Sequence, residues 1–219
     1  MKRLLQSGAV AAFLSVITTI GIHGVITGPS TFEESLVVFR ETPYILSKWW
    51  VILHCLLVVF SAYGLMHHPG NHNGKLAGLG YTFYVGFGII EITRMSLVLT
   101  YLFNLREKYL QAGSDVQREI FRAALDSFSG IGEGLFVAFI ISFLFGNLFF
   151  GLSLVAGKSL VRVLGVVLLI WSAASAATLM NVHLRSESLD TLLEYFSISF
   201  QPAARLLLGI CLWRASQSI

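Results

Sequence analysis

The chain reads as an all-α membrane protein, a bundle of six transmembrane helices with short amphipathic interfacial helices. Three observations carry that reading. Of 219 residues, 55% are hydrophobic and only 12% are charged, about half the roughly 25% charge of a soluble domain. Mean hydropathy is +0.75, so there are too few polar side chains to cover a water-soluble surface. The apolar residues also fall into six runs near the ~20 residues a helix needs to cross a bilayer. An ordinary soluble enzyme, a disordered chain and a nucleic-acid module are thereby excluded. In so apolar a chain the formal charge of +3 marks the cytoplasmic ends of membrane helices rather than a nucleic-acid surface.

The spans are expected near 8–27, 49–66, 76–103, 128–156, 159–181 and 193–213, within one polytopic domain over 1–219. Span 1 follows Met1-Lys2-Arg3 as a signal peptide would. It is longer than a signal core and lacks an A-x-A site, so it is read as a membrane helix. Thr31–Glu41 is amphipathic, with Thr31 and Glu34 at capping-box spacing. Span 2 opens beside Tyr44, Trp49 and Trp50, and Trp213 ends span 6, as interface anchors do. Span 3 is punctuated by Gly78, Gly80, Gly86 and Gly88. After it, Ser114 and Gln117 repeat the capping spacing, and Val116, Ile120, Phe121, Ala124 and Leu125 share one face. Both amphipathic segments are expected to lie on the membrane surface or cap the bundle.

Span 4 opens with Gly130, Gly132 and Gly134, and span 5 contains the run Ser172–Thr178, SAASAAT. These small residues are expected to let helices approach closely. Phe136, Phe139, Phe143, Phe145, Phe149 and Phe150 circle span 4 and read as lipid-facing or core, with an acyl, quinone or pigment groove as the alternative. Of four prolines, Pro29, Pro43 and Pro69 lie in connections, while Pro202 falls inside span 6, as a kink or an interfacial turn. No alternating ten-residue strands occur, which excludes a closed barrel.

Charge sets the orientation. Lys2, Arg3, Lys75, Lys158, Arg162 and Arg214 occupy the tails and the two short loops, which carry no acid. All acidic residues except Glu91 and Glu133 lie in the other three connections. The positive-inside rule therefore puts both termini in the cytoplasm, and the expected location is a bacterial inner membrane.

Four charged residues, Glu91, Arg94, Glu133 and Arg205, remain within the spans, as do His23 and His54. Ionisable groups in a bilayer require partners or water. Glu91 and Arg94 are three apart and can meet on one helix face. At 1.5 Å per residue, His23 lies roughly 6 Å, His54 and Glu133 about 8 Å, and Arg94 about 14 Å below the outer ends of their spans. Glu91 is a turn deeper, and Ser172, Ser175 and Thr178 occupy the same half of span 5. These residues predict an outward-facing polar cavity or buried network, or else an ion-pair cluster that serves packing alone. Arg205 is expected deeper, joining the network, lining a passage or neutralising Glu91 or Glu133.

Other chemistries are weaker. His67, His68 and His72 resemble a metal-ligand cluster, but Pro69-Gly70 breaks the helix that would align them, and no metal site is assigned. His23 and His54 admit haem ligation from two helices, and equally ordinary hydrogen bonding. All five lysines lie outside the spans, which excludes a retinal Schiff base. No Ser-His-Asp set, H-E-x-x-H or Walker lysine is present. Cys55 and Cys211 lie inside apolar runs and identify no redox compartment.

The stretch FGNLFFGLSLVAGKSLVRVLGVVLLIWS, Phe145–Ser172, resembles the late segment of a bacterial six-span family catalogued as domain of unknown function 4386. Arg162, Leu164 and Gly165 match the basic turn of that family, and Glu91 in GIIEITR resembles its span-3 acid. The arginine that usually precedes this acid is replaced by Gly88, and Arg94 follows instead. The resemblance implies the six-span topology and a long outer connection before span 4; the function of that family is not established.

The expected function is a non-catalytic integral membrane protein. It is either a packing subunit of a membrane complex or a binder of a small or lipidic ligand in an outer-leaflet polar cavity. Its partners would be membrane lipids, other membrane protein subunits or a hydrophobic small molecule, and no cofactor is identified. The alternatives are a small proton-coupled transporter and a haem-binding or lipid-modifying membrane protein.

Overall fold

A computed structural model describes residues 1–25 and 31–219, excepting the side chains of 23–25. Among the described residues every regular element is helical: α1 Lys2–Val25, α2 Phe32–Val38, α3 Thr42–Met66, α4 Gly74–Leu97, a π-helical turn Val98–Leu102, α5 Phe103–Gln111, α6 Asp115–Leu154, α7 Ser159–Leu184 and α8 Glu187–Gln217. Six of these stretches are long and apolar enough to cross a membrane, with α4, the π turn and α5 running on as one. The chain is a multi-pass membrane protein.

Local chemistry sets the helix ends. Thr31 Oγ1 accepts from the Glu34 N–H at 3.1 Å and starts α2. Pro43 occupies the first turn of α3, where its missing N–H is harmless. Asn73 Oδ1 accepts from the Lys75 and Leu76 N–H groups at 3.1 and 3.2 Å to open α4. Ser114 Oγ caps Gln117 N, and the Gln117 amide oxygen answers by accepting from Gly113 N. Arg185 ends α7 in the left-handed region, at φ 52°.

The second amphipathic segment differs from expectation. Ser114–Leu125 forms no separate surface helix; residues 115–125 are the first three turns of α6, which runs unbroken for 40 residues. No proline interrupts the helical period between Leu125 and span 4, and Ser127, a residue type that could cap a new helix, instead donates its hydroxyl back to the Ala123 carbonyl, so the two runs propagate as one. At 1.5 Å per residue α6 is about 60 Å long, twice a ~30 Å hydrocarbon core. Its first turns therefore project from the bundle beside α5. Arg40 braces this projection: its Nε and Nη2 donate to the Glu107 carboxylate, both at 2.7 Å. Pro202 lies inside α8, which continues through it.

The six long helices pack as a closed ring in the order α1, α3, α4, α6, α7, α8 and back to α1, and the α7–α8 seam is the thinnest. Outward positions are apolar at helical spacing, as Val10, Leu14 and Ile17 on α1 and Leu53, Leu56 and Phe60 on α3 show; this surface meets lipid. Glycines set the closeness of several seams. A Cβ on Gly8 would stand 3.1 Å from Gly64 Cα and 3.4 Å from Leu212 Cδ1, so α1, α3 and α8 close together at the end that carries both termini. Gly146 admits the Tyr84 ring, whose hydroxyl donates to Asn147 Oδ1 at 2.8 Å across the α4–α6 seam. Gly165 lies against the Val155 backbone. Not every glycine acts this way. Gly78, Gly130, Gly132 and Gly134 have nothing within 4 Å of a Cβ, so close packing does not explain them.

The connection between α3 and α4 is a hydrogen-bonded clamp. Asn71 Nδ2 donates to the Leu65 and Met66 carbonyls, and Ser153 Oγ donates to Asn71 Oδ1 and to the Asn73 carbonyl. His68 is buried, with Nδ1 accepting from Gly70 N at 2.9 Å.

Candidate functional site

At the end of the ring opposite both termini the helices stand apart and enclose a cavity of about 370 Å³. It is bordered by the last turns of α1, the first half of α3, the second half of α4, the middle of α6, the second half of α7 and the first half of α8. All six long helices thus contribute. This volume lies at the lower end of the ~300–1,000 Å³ typical of small-molecule sites.

Four of the six polar residues singled out from the sequence line this space: His54, Glu91, Arg94 and Arg205. Glu91 is buried, and its carboxylate takes two hydrogen bonds from Arg94, Nε at 2.8 Å and Nη2 at 2.6 Å. The i, i+3 spacing on one helix face makes this fork-to-fork geometry possible. Beyond Arg94, the π turn at Val98–Leu102 inserts a wider turn before α5. His54 is buried and shares a 2.7 Å hydrogen bond between Nδ1 and Thr18 Oγ1 of α1. The Thr18 carbonyl also receives the Trp50 indole N–H at 2.9 Å, and Trp50 lies where Gly21 leaves room for its ring. α1 and α3 are thereby fixed around the cavity rim.

Arg205 differs from both. It is 4% exposed, and its guanidinium lies over the Trp171 ring at 5.3 Å from the centroid. Its Nε is buried with no hydrogen-bond partner. The ion pairs among the described residues are Arg40–Glu107, Arg94–Glu91 and Arg118–Asp115, so Arg205 neutralises neither Glu91 nor Glu133. It forms the inner end of the cavity: beyond it lie a void of about 10 Å³ and the apolar side chains of Leu65, Leu168 and Leu208.

The other two candidates stand apart. Glu133 is exposed and does not border the cavity. It shares a face of α6 with the lining residue Ile140, but 129–134 are exposed or half-buried all round, and Gly130, Gly132 and Gly134 meet nothing, so it lies on the part of α6 beyond the cavity. The side chain of His23 lies outside the described residues. Ser175 and Thr178 line the cavity, whereas Ser172 Oγ donates across to the Leu144 carbonyl of α6. Among the described residues no three His, Cys, Asp or Glu side chains gather as a metal site.

The walls are mainly aromatic. Phe143 packs edge-on to Trp171 at 5.0 Å, and Phe200 meets the same indole edge-on at 5.9 Å. Phe87, Phe136, Phe139 and Phe196 line the remaining surface. Trp171, Gln201 and Phe196 were not singled out from the sequence, yet a signal existed. Ser197, Gln201 and Arg205 recur every four residues on α8, and Trp171, Ser175 and Thr178 fall at i, i+4 and i+7 on α7. Each set is a stripe facing one direction.

No family model matches the chain, and no curated protein or solved structure is significantly similar to it.

Proposed function

We propose that the protein is a non-catalytic membrane protein that holds a small amphipathic or lipidic molecule in this cavity. In this reading the membrane is a bacterial inner membrane, both termini are cytoplasmic, and the cavity opens toward the outer leaflet. The resemblance of Phe145–Ser172 to the domain of unknown function 4386 family belongs to the same reading. The observation that carries it is the joining of three charged side chains, Glu91, Arg94 and Arg205, with an aromatic wall around one enclosed space. Packing alone would favour apolar contacts there, since replacing buried ion pairs by apolar residues is often neutral or stabilising.

The test is purification in a mild detergent followed by mass spectrometry of everything retained. The wild type is expected to carry a stoichiometric amphiphile. Ala174→Phe places a phenyl ring in the cavity and is expected to release it while unfolding at the temperature of wild type stripped of the molecule. A wild type that carries only bulk lipid, or a variant with the same retained molecules, would overturn the reading.

A further inference from the structure

We infer that the cavity selects a singly charged anionic amphiphile, with the head group on Arg205 and the apolar chain along the phenylalanine wall. The inference rests on the cavity being a binding site and adds the chemistry of what it binds.

Charge is the first support. Among arginine, lysine and carboxylate side chains, those bordering the cavity are Arg94, Arg205 and Glu91. Arg94 and Glu91 neutralise each other through two of the five Arg94 N–H groups. Arg205 is left as one surplus positive charge, more than nine-tenths buried, with no carboxylate in reach and its buried Nε–H without an acceptor. A buried unpaired charge is costly, and an anion within hydrogen-bond distance removes that cost.

The distribution of donors is the second support. Thr19 Oγ1 donates to the Ser15 carbonyl, Ser175 Oγ to Trp171 O, and Thr178 Oγ1 to Ala174 O. Each hydroxyl has a single proton, so these groups offer a ligand only acceptor oxygens. Gln201 Nε2 already donates one proton to Ser197 Oγ. Ser197 and Gln201 each keep a neutral donor, and Arg94 keeps N–H groups beyond the two given to Glu91. The charge-assisted donors free to a ligand, however, are guanidinium N–H groups, whose complement is an acceptor-only head group such as a carboxylate or a phosphate ester. The Trp171 ring, 5.3 Å from the guanidinium carbon, holds the cation without using any of its N–H groups, which stay available for a forked contact.

The walls supply the rest. Phe87, Phe136, Phe139 and Phe196 offer no hydrogen bond to a ligand and match an acyl chain. A free fatty-acid-type amphiphile and the head group of an anionic phospholipid share this chemistry.

The experiment uses the full chain in phosphatidylcholine nanodiscs, titrated with dodecanoate, dodecanol and dodecylamine and read by native mass spectrometry. Dodecanoate is expected to bind about tenfold or more tighter than dodecanol, the worth of a charge-assisted hydrogen bond, and dodecylamine weakest. Arg205→Gln is expected to erase the difference between dodecanoate and dodecanol. Should that variant fail to fold, Arg205→Lys, which keeps the charge, is expected to retain the preference, and the wild-type series stands without any variant. Equal binding of dodecanoate and dodecanol by the wild type overturns the anion inference and leaves the cavity reading intact. Failure of all three probes to bind overturns the cavity reading itself. Adding phosphatidylglycerol to the nanodiscs separates the sources. Displacement of dodecanoate identifies a lipid head group, undiminished binding identifies a free amphiphile, and both outcomes support an anionic ligand.

Discussion

The guanidinium of Arg205 lies over the indole of Trp171 across the α7–α8 seam, 5.3 Å from the ring centroid, and makes no ion pair among the described residues. A desolvated cation–π contact contributes about 2 kcal/mol. That is less than the several kcal/mol a buried ion loses on leaving water. The residue thus weakens the empty protein, and its presence there is a sign of selection for something other than stability.

Arg205→Met is therefore expected to raise the thermal midpoint of the ligand-free protein in detergent, because methionine fills similar volume with no charge to desolvate. Anionic amphiphiles should at the same time stop stabilising it. A midpoint lower than wild type in the ligand-free state would show that Arg205 is a structural residue.

Glu91 and Arg94 behave in the opposite way. Each alone is a liability, and together they are satisfied. Glu91→Gln and Arg94→Gln are each expected to destabilise. The loss should fall below the ~3–5 kcal/mol typical of breaking a fully buried pair, because the Arg94 side chain is 29% exposed. The double variant should be more stable than the sum of the single losses predicts, a coupling that a double-mutant cycle in thermal unfolding measures directly.

The glycines divide by environment, and substitution should reproduce the division. A Cβ on Gly165 would stand 2.6 Å from the Val155 backbone nitrogen, which has no rotamer through which to give way. Gly165→Leu is expected to cost at least the ~1–3 kcal/mol usual for overpacking. Gly132 has nothing within 4 Å of a Cβ, and Gly132→Leu should be neutral or stabilising by up to about 1 kcal/mol through reduced chain entropy. Unfolding midpoints of the two variants moving together would contradict the packing described for α6 and α7.

His68, in the connection after α3, gives a pH dependence. Burial pushes its imidazole below the ordinary histidine range, and a backbone group of Cys211 opposes this more weakly. The unfolded chain then takes up the proton first as pH falls. Stability from this residue is complete above about 6.5, the unfolded value, and is lost as pH drops toward the lowered folded one, at up to about 1.4 kcal/mol per unit of separation. Thermal midpoints between pH 7.5 and 5.5 should fall for the wild type and fall less for His68→Asn.

The sequence was most informative where one physical force dominates. Hydropathy alone locates six membrane helices, because a bilayer admits little else. Spacing alone shows that Glu91 can reach Arg94, and depth along the helices places His54 in the same half of the bundle as both. The ring order of the helices was not legible, since it depends on which small residues meet. Gly8 and Gly64 do, while Gly130, Gly132 and Gly134 do not, and nothing in their local pattern separates the two groups. Glu133 failed for a related reason. It shares a face with the cavity-lining Ile140, but the apolar run does not mark where α6 enters the ring, and 129–134 are exposed or half-buried all round. Arg205 was legible as an intramembrane charge and not as an unpaired one, because pairing is a property of three-dimensional proximity.

The ring is drawn tight by the Gly8–Gly64 contact at one end and spread by aromatic rings at the other. Under the proposed binding function, net movement of a guest along the axis to the opposite side would require that glycine seam to unzip. The protein so proposed is therefore a receptacle, and a conduit would demand a second arrangement of α1, α3 and α8.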